Sequence, residues 1–288
     1  MTSQLTGIAF DGVAYGSVLF LISAGLSITM GLMNFANLAH GVFAMVGGYV
    51  AVVAVSRFNV PFLASLPIAF VASAFAGVVL ERVLYRRLYG SSALDQVLMS
   101  IGLIFISTAV ATWAFGSSQQ AMVLPDWLKG QWEWNDAGFG HYRVLLIAVV
   151  ALVMAGLLVA LSRTRFGAQL RAAVDNRAAA EGMGINVDRG LTLAFALGSG
   201  LAGLGGALGV EVIGLDPNFP LKFVVYFLLV VVVGGGGSLV GPLLAALLLG
   251  VCDVFGKYYV PEAGAYVIYA LMVGLLVLFP LGLMGRRT

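Results

Sequence analysis

Eight runs of roughly twenty apolar residues dominate this chain, each long enough for a helix to cross the hydrocarbon of a bilayer. They span about 8–31, 37–55, 62–80, 97–115, 144–162, 190–213, 223–250 and 265–283. Only 10% of the 288 residues are charged, against about a quarter in soluble domains, so little polar surface is left to cover a water-soluble fold. The pattern predicts an all-α polytopic membrane protein, a single bundle of about eight transmembrane segments over residues 1–288. No Lys or Arg precedes Arg57, so the first run lacks the basic flank of a signal peptide and is also too long for one. The net charge of +2 gives nucleic acid no purchase, and the single cysteine, Cys252, excludes an internal disulfide.

Basic residues set the orientation. Eight of the 15 lie in two loops, Arg82, Arg86 and Arg87 in one and Arg163, Arg165, Arg171, Arg177 and Arg189 in the other. Both loops are expected in the cytoplasm, with the intervening stretch 116–143 outside. That stretch holds Trp127, Trp132 and Trp134, with Trp113 just before it, as an interfacial aromatic belt would; it is either a plain surface cap or a binding surface. The N-terminus then lies outside. Eight single crossings would leave Arg286 and Arg287 outside as well, against the same rule. Gly234, Gly235, Gly236, Gly237 and Ser238 offer a way out by breaking the seventh run. Residues 223–233 make a helix of only ~16 Å, so a segment that dips in and returns would bring the C-terminus to the cytoplasm. The other reading is that two terminal arginines do not decide the topology.

The longest charge-rich stretch with helical spacing is TRFGAQLRAAVDNRAAAEGMGIN, residues 164–186. Gly167 is expected to end the preceding helix and 168–181 to form a short one, within a unit ending near 183. Arg171 with Asp175, and Arg177 with Glu181, stand four apart and predict surface ion pairs. Ala172, Ala173, Ala178, Ala179 and Ala180 leave the other face small. Gly182 and Gly184 stop the helix, and Asn186 caps the next one, with Asp188 in its first turn. Such a helix is either a solvated loop helix or a docking surface for a partner that pushes on it.

Inside the membrane the informative residues are neutral. Asn34, Asn37, His40 and Gly41 make a polar stripe at the junction of the first two runs, fit for a substrate path or for interhelical hydrogen bonds. The glycine run near 234–238 fits either a broken helix that binds solute through its backbone or close helix packing. Gly198, Ala202 and Gly206, with Gly205 and Gly209, form a small-residue seam for a contact within the chain or with a second subunit. A metal site is not expected, since the only other histidine, His141, lies in the 116–143 loop. Ser238 and His40 have no orienting acid, which argues against an intramembrane hydrolase. No ionisable residue sits mid-segment, as a proton- or sodium-coupled carrier would need, and no phosphate-binding G-x-x-x-x-G-K-[ST] loop is present. Uphill transport would have to be driven by another polypeptide.

These stretches resemble the permease subunits of branched-chain amino acid ABC importers, of the LivH type. The likeness rests on GLSITMGLMNFANLAHGVFAMVGGYVA (25–51), on residues 164–186, on GGGGSLVGPLLAALLLGV (234–251) and on ERVLYRRLYGSSALDQVLMSIGL (81–103). In the first, Asn37 and Leu38 interrupt the family's N-F-A-H-G pattern. The resemblance implies a non-enzymatic inner-membrane permease that works by alternating access. It also implies a LivM-like second permease, two ATPase subunits that bind the ATP, and a periplasmic binding protein. This chain itself would carry no cofactor. Implied contacts to the ATPase are Arg171, Ala172, Ala173, Asp175, Asn176, Ala179, Gly182, Gly184 and Ile185. Implied pathway residues are Asn34, Asn37, His40, Gly41, Gly235, Gly237 and Ser238. Permeases of this group also handle amides or urea, and a stand-alone channel or secondary carrier for small neutral solutes is a further alternative.

Overall fold

A computed structural model describes residues 2–33, 37–134, 137–235, 239–262, 264–279 and 282–284. Eleven helices follow one another among them: α1 (Thr2–Met33), α2 (His40–Phe58), α3 (Phe62–Val83), α4 (Ala93–Phe115), α5 (His141–Arg163), α6 (Arg165–Asp175), α7 (Arg177–Gly182), α8 (Val187–Ile213), α9 (Phe219–Gly234), α10 (Val240–Tyr259) and α11 (Gly264–Leu278). Seven of them, α1 to α5, α8 and α10, are long and apolar enough to cross a membrane. Asn37 lies ahead of α2, which begins only at His40, so Asn37 does not share a helical face with His40 and Gly41.

Local chemistry sets several ends. Ser92 and Asp95 form a reciprocal capping box at the start of α4, each side chain accepting the other's backbone N–H at 3.2 Å. Asn59 ends α2 in the left-handed region at φ 50°, a conformation asparagine tolerates. Between α4 and α5 the chain forms a small antiparallel hairpin, β1 (Gln131–Trp134) with β2 (Ala137–Gly140), pairing Trp132 with Phe139. The sequence reading of this stretch, a surface cap or a binding surface, names no strands.

The centre of the bundle is α8 with α1, α2 and α3 around it. Apolar burial drives no association inside a bilayer, so these helices hold by close van der Waals approach, and small residues permit it. A β-carbon on Gly25 of α1 would overlap the carbonyl of Gly198, and one on Gly206 would overlap that of Ala44 in α2. The seam on α8 is therefore used within the chain. By contrast α4 and α5 leave large side chains such as Phe105, Ile106 and Leu152 exposed on the outside, as lipid-facing helices do.

Gly25 meets Gly198 while Val18 meets Gly209, so α1 and α8 are antiparallel. At the end where α1 starts, Asp11 pairs with Arg143 at 2.5 Å, Phe10 meets Phe139 and Phe62 meets Tyr142. The tryptophan-bearing loop is at this end. At the other end Arg86 reaches Thr192 at the start of α8, which brings the two arginine-rich loops together.

Candidate coupling surface and translocation path

At the arginine-rich end the expected single helix is two. Thr164, not Gly167, ends α5, and its hydroxyl caps α6 by accepting the N–H of Gly167. Gly167 instead lies in the first turn of α6, where a side chain would strike Leu161. The second break falls at Asn176, with φ −157° and ψ 100°. Its Oδ1 accepts the Ala179 N–H at 3.0 Å and so starts α7. Asparagine competes with helical backbone hydrogen bonds and is better placed as an N-cap than mid-helix.

One of the two expected ion pairs forms. Arg177 Nε donates to Glu181 at 2.9 Å, and its Nη2 donates to Asp188 at 2.8 Å, tying α7 to α8. Arg171 donates instead to the Leu161 carbonyl at the end of α5, and no pair with Asp175 is found among the described residues. Asn186 caps α8 by accepting from Arg189, as expected, and Gly184 takes φ 82° after α7.

The small-residue face divides. Ala172, Ala173 and Ile185 turn inward onto a cluster of Ala180, Val187, Leu191 and Tyr89. Arg171, Asp175, Asn176, Ala179, Gly182 and Gly184 remain exposed. Two apolar side chains that the sequence reading did not single out stand among them: Val174 at 49% and Met183 at 71% exposure. Tyr89 also donates from its hydroxyl to Glu81 at 2.9 Å. Burial, and then the neighbouring Glu81 carboxylate, hold that phenol well above its usual range, so it stays a donor.

Deeper in the bundle Asn37 is buried, and its Oδ1 accepts from Tyr85 Oη at 2.9 Å and from the Ala39 N–H at 3.0 Å. Buried His40 places Nε2 3.0 Å from the carbonyl of Ile22 in α1. A β-carbon on Gly41 would sit 3.1 Å from Pro220 in α9. Asn34, Gly237 and Ser238 lie outside the described residues. A cavity of about 630 Å³ bordered by α2, α3 and α4 is apolar and touches none of the pathway candidates.

The seventh apolar run splits where the glycines are. Tyr226 of α9 meets Tyr269 of α11 edge-on, and Leu283 N–H donates to the Val233 carbonyl, so α9 and α11 run the same way. Gly256 faces Val267 while Gly241 faces Met284, so α10 runs against both. α9 and α10 are a helical hairpin whose tip includes Gly235, with φ 87°. Residues 282–284 pack on that tip.

A broken helix pair inside the bundle, with a two-helix element standing outside it, defines a multi-pass membrane permease. Residues 8–276 match the family model of the branched-chain amino acid transport system permease component, and the chain belongs to that family. It is 30% identical over 290 residues to the high-affinity branched-chain amino acid transport system permease protein BraD of Pseudomonas aeruginosa, covering 96% of this chain and 94% of that one. It is 28% identical over 294 residues to the corresponding LivH protein of Escherichia coli, with the same coverage. Among solved structures, PsaBC from Streptococcus pneumoniae in complex with Fab aligns with a TM-score of 0.44 and 16% identity, over 96% of this chain and 88% of that one.

Proposed function

We infer that this chain is the inner-membrane permease of an ATP-driven importer of branched-chain amino acids. It binds no ATP itself. Two ATPases dock on α6 and α7 from the cytoplasm, a LivM-like permease completes the transmembrane unit, and a periplasmic binding protein delivers substrate at the tryptophan-bearing end. The observation that carries the reading is the α6–α7 pair: exposed on one side and fastened to α5 and α8 on the other.

ATP-driven closure of the ATPases pushes on Ala179, Gly182 and Gly184, flanked by Val174 and Met183. Because α6 and α7 are tied to α5 and α8, the push becomes a rigid-body tilt of the bundle and alternates access. Ala172, Ala173 and Ile185 serve this by seating the pair on α8. The pathway is assigned to the α9–α10 tip, with Gly235, Gly237 and Ser238, and is completed against the partner permease. Asn37, His40 and Gly41 hold the α1–α2 junction beside it, and Asn34 stays a pathway candidate on its sequence alone. Glycine backbone and a few neutral polar groups let a zwitterion on an apolar side chain pass without trapping it.

The test is reconstitution. The chain, its partner permease and both ATPases in liposomes should take up leucine only with ATP on the ATPase side and binding protein on the other. Leucine flux through this chain alone would refute the reading.

A further inference from the structure

The arginine-rich end contains a fully buried carboxylate that neither the docking surface nor the pathway uses. Glu81, in the last turn of α3, has no solvent exposure. Its Oε1 accepts from Tyr89 Oη at 2.9 Å and lies 3.4 Å from Arg86 Nε. Its Oε2 lies 3.0 Å from Thr192 Oγ1 on α8, and Arg86 Nη2 reaches the same hydroxyl at 3.3 Å. A buried charge is tolerated only when it is paired and hydrogen-bonded, and here both oxygens are occupied. Two of the three partners come from the turn after α3 and one from α8, 111 positions along the chain.

Tyr89 gives this cluster a direction. Its ring packs with Ala172, Ala173 and Ile185 against Ala180, Val187 and Leu191. One side chain therefore touches both the seat of the α6–α7 pair and the buried carboxylate. Thr192 is four residues from Asp188, which holds Arg177 of α7. Displacement of α6 and α7 reaches Glu81 by two routes, through Tyr89 and through the first turn of α8.

We propose that Glu81 is a positioning residue for energy transfer: it locks the ends of α3 and α8 together and to Tyr89, so that movement of α6–α7 tilts both helices instead of being absorbed in the loops. This rests on the importer reading above.

The test measures leucine imported per ATP hydrolysed in the reconstituted complex. Tyr89→Phe keeps the ring in its cluster and removes only the hydroxyl. It should lower that ratio about fivefold, with ATPase rate, assembly on size exclusion and unfolding midpoint near wild type. Glu81→Gln should lower it at least as far, and the double variant no further than Glu81→Gln alone. A ratio within about twofold of wild type in Tyr89→Phe, or import and ATPase falling together in that variant, overturns the proposal. Failure of the wild-type complex to import with ATP would instead sink the importer reading.

Discussion

A histidine 2% exposed inside a bundle must find polar partners locally, and His40 Nε2 has one in the Ile22 carbonyl. His40→Phe keeps a ring in the site and removes that partner. We expect a loss of ~1 kcal/mol of stability in detergent unfolding, with import per folded molecule unchanged. Lost import at unchanged stability would put His40 on the path. Glycines give a second contrast. Gly25→Ala places a methyl into the Gly198 backbone, whereas Gly102 and Gly156 have nothing within 4 Å of a β-carbon. Overpacking costs roughly 1–3 kcal/mol, and more where backbone meets backbone. Gly102→Ala and Gly156→Ala should be neutral or raise the midpoint, since glycine is a poor helix residue. Equal midpoints across the three variants would contradict this packing of α1 on α8.

At the scale of elements, the cap at Asn176 keeps α6 and α7 separate. Asn176→Ala should weaken the start of α7 by ~1 kcal/mol, seen as faster amide exchange over 177–182, and Asn176→Asp should restore protection. Unchanged exchange in the alanine variant would mean that packing on α8 alone sets the break. The elements also show what a sequence carries. The interruption of the seventh run was legible because four glycines and a serine interrupt an apolar segment, and Asn186 was legible as a cap because it opens one. Asn176 carried the same signal, but it sat inside a run of alanines whose spacing suited one helix. The inward turn of Ala172 and Ala173 was hidden by the same step, so a bulky charge there would damage the seat on α8 as well as any docking face. Ala179, exposed on α7, is the cleaner position. The β1–β2 pairing and the contact of Glu81 with Thr192 join residues by tertiary geometry, which local periodicity does not encode.

For the whole molecule, the hairpin of α9 and α10 decides the parity of the chain. α1 and α10 are antiparallel, since Gly16 meets Ala246 and Gly12 meets Val251. The end of α10 and the start of α11 therefore lie with the start of α1, at the tryptophan-bearing end. α11 then descends to the tip of the hairpin and points toward the arginine-rich end. With only 16 residues α9 is shorter than the seven helices long enough to cross, so among the described residues the seventh apolar run is a hairpin rather than one crossing, and α11 runs toward the arginine-rich end. Site-directed labelling in cells checks it. With Cys252 replaced by Ala, Trp127→Cys and Glu262→Cys should both react with an impermeant thiol reagent from the periplasm. Ala179→Cys should react only after the membrane is opened. If Glu262→Cys behaved like Ala179→Cys, α9 and α10 would have to cross as one span, and the tip at Gly235 would lose its place inside the bundle. If Ala179→Cys were labelled from outside, no ATPase could reach α6 and α7, and neither the docking surface nor the role of Glu81 would survive.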